Sequence, residues 1–229
     1  MKIKRRLKAI ANMVEPTKVI ADIGTDHGYI PAYLVEKGIV DRGIAADVSR
    51  GSLAKAQDLI RAMGLEDRIE TRLGDGLSVL KVGEANSIVI AGMGGILISQ
   101  ILEKDKQIGQ AVDSLVLQPM TASRELRQWL SENNYSITKE DLVKEGKKIY
   151  ELILAIPGNW QIENDIHLEI GKNLIKEKHP LLKEHISGKI TKIRAIIAGL
   201  DQARQDGIES RLNDYRERLT QYMEVYNDL

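Results

Sequence analysis

Val19 to Leu34 reads VIADIGTDHGYIPAYL, and this stretch decides the fold. An apolar run ends in Asp22, Gly24 and Gly28 follow, and a helical spacing of apolar residues starts near Ile30. A second apolar run, GIAAD, closes on Asp47. Strand, glycine turn, helix, strand, acid is the order of a Rossmann-type unit. Such a unit holds a nucleoside cofactor over the carboxyl edge of a parallel sheet, with the acid on the ribose. The turn is D-x-G-x-x-x-G, not G-x-G-x-x-G, so the pyrophosphate fingerprint is incomplete and the helix start need not face a diphosphate.

Outward from this unit, strand-like runs alternate with amphipathic helical patterns from Lys18 to about Pro157. The expected strands are 19–23, 43–47, 69–73, 87–91 and 114–117, with helices over 30–37, 49–63, 96–104 and 122–132. Alternation of this kind builds a doubly wound parallel sheet. Tyr135–Val143 and Lys148–Ile156 flank a charged turn containing Gly146, which reads as an antiparallel hairpin. A parallel sheet closed by such a hairpin points, by analogy, to the class I methyltransferase fold. Pro157-Gly158 marks a boundary, giving domains of 1–158 and 159–229. Beyond it a helix is expected over roughly 164–178, stopping or kinking at Pro180. Ile186, Ile190, Ile193, Ile197 and Leu200 form one heptad seam; Ile208, Leu212, Tyr215, Leu219, Tyr222 and Tyr226 form another. A short segment ending in Gly207 separates them, so the tail reads as an antiparallel, coiled-coil-like helical hairpin.

Composition narrows the classes. The 229 residues carry 33 basic and 33 acidic side chains, so net charge gives no sign of a polyanion partner. The absence of cysteine excludes disulfides, thiolate zinc sites and a cysteine nucleophile. No apolar run suits a signal-peptide core or a membrane span, and a cytoplasmic protein is expected. His167, His179 and His185 lack partners at metal-binding spacing, so no metal is expected.

Five elements carry chemistry. Gly24 and Gly28 let the backbone approach a ligand where a Cβ would obstruct it. S-adenosylmethionine has no phosphate, which matches the missing fingerprint. Asp22 is placed to orient its ammonium and Asp47 to accept both ribose hydroxyls. Taken singly, each acid also suits a helix cap or strand end. Gly74-Asp75-Gly76-Leu77, after the third strand, would put Asp75 on the adenine amino group; it also reads as a plain Asp-Gly turn. Ala91-Gly92-Met93-Gly94-Gly95 stands where many amino-methyltransferases have an Asn/Asp-Pro-Pro-aromatic loop, and lets a flat base come close to the methyl donor. Gln118, ending the next strand, offers an amide that can read a base edge. With Thr25, the candidate cofactor residues are Asp22, Gly24, Thr25, Gly28, Asp47, Asp75, Gly76, Ala91, Gly92 and Met93.

Lys4-Arg5-Arg6-Leu7, the string ADIGTDHGYIP from Ala21 to Pro31, GDGL from Gly74, AGMGG from Ala91 and Gln118-Pro119 together resemble one family, the bacterial tRNA (adenine-22 N1)-methyltransferases. The motifs span residues 4 to about 120; the tail is similar in length and character only. The resemblance implies S-adenosylmethionine as donor and tRNA as substrate. It implies in-line attack of neutral adenine N1 on the sulfonium methyl, giving a cationic 1-methyladenine. N1 already carries its lone pair, so alignment outweighs base catalysis. Asp26 is the candidate for stabilising the product cation or taking a proton from the amine. His27 and Tyr29 would position the base, and Gln118 completes the catalytic set. Each has a plain alternative: a helix cap for Asp26, solvent for His27, core for Tyr29.

A net-neutral protein holds tRNA only through uneven charge. Lys2, Lys4, Arg5, Arg6 and Lys8 make a basic first helix, with Lys4, Arg5 and Arg6 as candidate tRNA contacts. A basic face is expected on the tail, against the alternatives of a salt-bridged solvated surface or self-association. A monomer is slightly favoured. Two other functions stay open: methyl transfer to a small molecule or protein, and nucleotide binding without methyl transfer.

Overall fold

The computed structural model describes residues 1–202 and 208–229, apart from the side chain of Ile208. They form two compact units, Met1–Gln161 and Ile162–Leu229.

The first unit runs α1 (Arg5–Ala11), β1 (Thr17–Ile23), α2 (Tyr29–Glu36), β2 (Val40–Asp47), α3 (Arg50–Ala62), β3 (Ile69–Leu73), β4 (Ser87–Met93), α4 (Gly95–Lys104), α5 (Lys106–Gln110), β5 (Ser114–Pro119), α6 (Ser123–Glu132), β6 (Tyr135–Glu145) and β7 (Lys148–Pro157). The strands make one sheet in the order β3-β2-β1-β4-β5-β7-β6. The first five are parallel; β7 is antiparallel to both β5 and β6. This is the doubly wound Rossmann-like sheet with the closing hairpin that the alternation pattern predicts. The strand order reverses between β1 and β4, which opens a crevice at their carboxyl ends.

Both sheet faces are covered, so central strands are apolar along their whole length. Along β4, Ile88 and Ile90 join a core with Ile98, Leu102, Leu126 and Leu130 of α4 and α6. Val89, between them, joins the opposite core with Ile10, Leu34 and Ile60 of α1, α2 and α3. Leu115, Val116 and Leu117 of β5 alternate in the same way. Each fully buried Leu or Ile contributes about 1.5–3 kcal/mol over exposure.

Two features of this unit depart from the sequence expectation. The polar stretch 106–110 adds the short helix α5. β6 continues past Val143 to Glu145, which pairs across the hairpin with the oppositely charged Lys148. That extension matters for the site described below.

In the second unit, α7 (Ile166–Ile170) and α8 (Lys172–Lys176) replace the single helix expected over 164–178. Gly171, at φ +100°, breaks it. The glycine's tolerance of a conformation closed to other residues decides the matter, seven residues after the expected start and well before Pro180. The long helices are α9 (Leu182–Gln202) and α10 (Ile208–Asp228). They run antiparallel: Lys183 lies over the Tyr226 ring near one end, and Arg216 pairs with Asp201 at 3.2 Å near the other. Ile186, Ile193, Leu212 and Tyr222 of the two seams are buried. The connection ending in Gly207 lies outside the described residues. Tyr222 donates to Glu169 Oε2 at 2.6 Å and Arg218 stands 3.1 Å from the other oxygen, which ties α10 to α7. Among the described residues, no side-chain group is arranged to hold a metal ion, and no helix is long and apolar enough to cross a membrane.

Candidate active site

A cavity of about 460 Å³ opens at the crevice between β1 and β4. Its floor is Asp22, Gly24, Thr25 and Ala91; Asp26, His27, Tyr29 and Ile30 form one wall; Lys2, Ile3, Lys4, Arg6 and Leu7 of the α1 segment and Glu145 of β6 form the other. Its size is within the usual range for small-molecule sites, about 300–1,000 Å³.

The floor is held by its own hydrogen bonds. The N–H groups of Gly24 and Thr25 both donate to Ala46 O, at 2.8 and 2.9 Å, tying the β1 tip to β2. Gly28 N–H donates to Thr25 Oγ1 at 3.0 Å, closing the turn into α2. Gly24 has φ +78°, and a Cβ there would stand 2.0 Å from the Met93 methyl. The turn therefore needs glycine for conformation and for the close approach of β4.

Asp22 is 5% exposed. Burial pushes its carboxyl up to about 6, against a hydrogen bond from Thr25 that lowers it and a further rise from the Asp47 charge. A buried acid held this far from its ordinary range is relieved by a cationic partner. Asp47, at the end of β2, accepts Ser49 N–H through Oδ1 at 2.7 Å. No described residue bonds its other oxygen, which is left to accept a diol. Beside it, Val48 is 66% exposed and Leu73 47% exposed, two apolar side chains at adjacent strand ends only partly covered by the protein. A buried acid, an open carboxylate and an apolar shelf in sequence along the sheet edge fit an amino-acid tail, a ribose and a base. Val48 and Leu73 were not singled out in the sequence, where each looks like an ordinary strand-end residue.

Not every expected residue is brought to the cavity. Gly28, Asp47, Asp75, Gly76, Gly92 and Met93 stand outside its lining: Gly28 at the start of α2, Asp47, Gly92 and Met93 at the ends of β2 and β4, and Asp75 and Gly76 just beyond β3. Asp75 turns outward to Lys104 Nζ at 2.7 Å. Asp26 is largely exposed, 3.6 Å from His27 Nε2, and the His27 and Tyr29 rings stack at 5.1 Å. Tyr29 is exposed at the rim, so neither ring belongs to the core.

Gln118 requires correction. It is fully buried, its carbonyl oxygen accepts from Arg6 Nη1, and its amide donates to Pro119 O at 2.9 Å and to Met120 Sδ at 3.6 Å. Both ends of the amide are committed to the protein, and no edge remains to read a base. The same contact corrects Arg6: its guanidinium points inward onto Gln118 and lies over the Tyr150 ring, 5.5 Å from the centroid. Lys4, just before α1, and Arg5, its first residue, are exposed.

Residues 3–153 match the family model described as a methyltransferase domain. The chain is 34% identical to the tRNA (adenine(22)-N(1))-methyltransferase of Bacillus subtilis, over 98% of this chain and 97% of that one. The chain belongs to this family.

The crystal structure of the B. subtilis enzyme, TrmK, superposes with a TM-score of 0.90 at 31% identity, covering 98% of this chain and 99% of that one. Mycoplasma capricolum TrmK, solved in complex with the cofactor product S-adenosylhomocysteine, gives a TM-score of 0.85 at 26% identity over 99% of both chains. The likeness runs through both compact units, including the tail in which the sequence carries no specific motif. Within the family frame, and apart from the apolar Ile3, Glu145 is the cavity residue that sequence reasoning missed. Its only signal is its place just before the Gly146 turn, and it enters the wall because β6 is longer than its apolar pattern suggests.

Proposed function

We propose that this protein transfers a methyl group from S-adenosylmethionine to N1 of adenine 22 in tRNA. The observation that carries the reading is the cavity at the β1/β4 crevice, where buried Asp22 and the Gly24 turn face a basic helical segment across a space large enough for a nucleoside. Family membership supplies the substrate class; the cavity supplies a place for the chemistry.

S-adenosylmethionine, when bound, supplies an electrophilic methyl group on a sulfonium. Asp22 would hold the donor's ammonium and lose the unfavourable burial of its own charge. Asp47 would accept the ribose hydroxyls through its open oxygen, and Val48 and Leu73 would cover the adenine ring. Asp75 would reach the adenine amino group only by leaving Lys104. Gly24, Thr25 and Gly28 shape the turn, while Ala91, Gly92 and Met93 bound the site from β4. His27 and Tyr29, already stacked, would form the platform for the flipped target base. Asp26 beside them would stabilise the cation formed at N1.

Lys4, exposed in the cavity lining, and the exposed Arg5 beside it would contact the tRNA backbone, while Arg6 fixes the wall. Exposed Lys176, Lys192 and Arg194 of the helical unit would add phosphate contacts. The cytoplasm is the compartment proposed, because a bacterial tRNA substrate is found there.

The deciding experiment is methyl transfer from labelled donor to tRNA followed by nucleoside analysis and position mapping. Labelled 1-methyladenosine at position 22 is expected. Label in another nucleoside would overturn the regiochemistry, and no label in any tRNA would overturn the function.

A further inference from the structure

Glu145 closes the cavity opposite the sheet edge, and half of its carboxylate is already assigned. Oε2 accepts the backbone N–H of Arg6 at 3.0 Å. That N–H belongs to the first turn of α1, whose donors have no partner within the helix, so Glu145 caps α1 from outside. The bond also fixes the carboxylate's orientation. Oε1 has no hydrogen-bond partner among the described residues, and Glu145 is half-buried in the cavity wall. The cations on this side of the cavity are Lys2, Lys4 and Arg6, and none forms an ion pair with Glu145. The wall thus presents one anchored acceptor oxygen to which no described residue donates.

We propose that Glu145 is a specificity-determining residue that accepts a hydrogen bond from the 6-amino group of the target adenine. The proposal rests on the reading of the protein as an adenine-N1 methyltransferase and adds a contact to it. Adenine carries a donor at C6, directly beside the N1 nucleophile; guanine carries an acceptor there and a protonated N1. A carboxylate oxygen at that position attracts the first base and repels the second. The contact also strengthens during the reaction. As the N1–methyl bond forms and the sulfonium–methyl bond breaks, positive charge enters the adenine ring and its amino group becomes a stronger donor. The sulfur keeps the electron pair of the broken bond, and no proton need move. An interaction stronger in the transition state than in the ground state raises turnover as well as selectivity. Asp26, mostly solvated, is less suited to this than an anchored carboxylate in the wall.

The test compares two tRNA substrates that differ only at the target position, one with adenosine and one with purine riboside, which keeps N1 and lacks the 6-amino group. The kcat/KM ratio of adenosine to purine riboside is measured for the wild type and for Glu145→Gln. The variant keeps an oxygen to cap α1 and loses the charge. The ratio is expected to fall by about 10- to 100-fold, the range for a hydrogen bond to a charged group. The wild-type ratio already contains the two bases' intrinsic difference, which cancels in the comparison. Melting temperature and donor affinity of the variant are expected to stay at wild-type values, which separates base recognition from capping. An unchanged ratio would overturn the inference while leaving the proposed function intact. A wild type that forms no 1-methyladenosine would overturn both.

Discussion

The guanidinium of Arg6 donates to the side-chain carbonyl of Gln118, joining the first turn of α1 to the end of the central strand β5. Gln118 is fully buried, so this bond works where water does not compete. Tyr150 beneath the guanidinium and Glu145 on the Arg6 backbone complete the dock. The basic segment is thereby held as a cavity wall instead of a free arm. Arg6→Ala and Gln118→Ala should then damage one shared property. A double-mutant cycle read by thermal or denaturant unfolding is expected to give a coupling of about 1.5–3 kcal/mol, the scale of a hydrogen bond to a charged group. Both single variants should lose tRNA methylation with donor affinity largely retained. Additive losses would mean that the two residues act independently.

Asp22 links donor binding to pH. Folding raises its carboxyl from 3.8 to about 6, so between these values the native state holds a proton that the unfolded chain has released. Its contribution to stability is therefore most favourable below about pH 4 and is lost as pH rises through 6, amounting to about 3 kcal/mol at neutral pH. An ammonium ligand needs the ionised form. Donor affinity by titration calorimetry should weaken about tenfold per unit below pH 6 and flatten above it. Asp22→Asn should bind donor poorly yet melt several degrees higher than the unliganded wild type at pH 7. Donor affinity unchanged from pH 5 to 7 would remove Asp22 from the ammonium site.

Much of this was legible in the chain because the central strands are buried on both faces. Uninterrupted runs such as SIVIA and SLVL leave few other readings. The places of Asp22, Gly24 and Asp47 were legible because each is fixed by the end of a strand. The site was not legible where a role depends on which way a side chain turns. Gln118 has the chemistry to read a base but spends it on Arg6 and Pro119, and Asp75 turns to Lys104 twenty-nine positions away. Glu145 was hidden for a related reason: a charged hairpin tip shows no apolar alternation, so the length of β6 cannot be read from it. In the tail, the break at Gly171 depends on a single backbone angle, which helical periodicity does not register.

Asp47 should carry donor affinity without carrying the fold. One oxygen holds Ser49 N–H at the start of α3, a contact worth about 0.5–1.5 kcal/mol. The open oxygen is assigned to the ribose. Asp47→Ala is expected to weaken donor binding by about 1–3 kcal/mol, with a smaller loss of thermal stability. Asp47→Asn should keep the Ser49 contact and still lose donor affinity. Wild-type affinity in both variants would refute the ribose assignment.

Arg127 tests what holds the closing hairpin to the rest of the sheet. It is fully buried on α6, with Nε 2.8 Å from Glu140 of β6 and Nη2 2.8 Å from Glu151 of β7. The two carboxylates raise the guanidinium's affinity for its proton against the burial that lowers it. Charges this deep are costly to place, and their mutual attraction in excellent geometry offsets that cost without necessarily exceeding it. Removing only the cation is different, since two buried acids then lose the guanidinium that bridges them. Arg127→Met should therefore cost about 3–5 kcal/mol and lower the melting temperature by roughly 6–20 °C. Replacing all three residues with apolar ones of similar volume, as Arg127→Met with Glu140→Leu and Glu151→Leu, should recover most of that loss. Because β6 also carries Glu145, the single variant should lose tRNA methylation at temperatures where it is still folded, and the triple variant should regain it. A single variant as stable as the wild type would show that the triad contributes little to the hairpin's attachment.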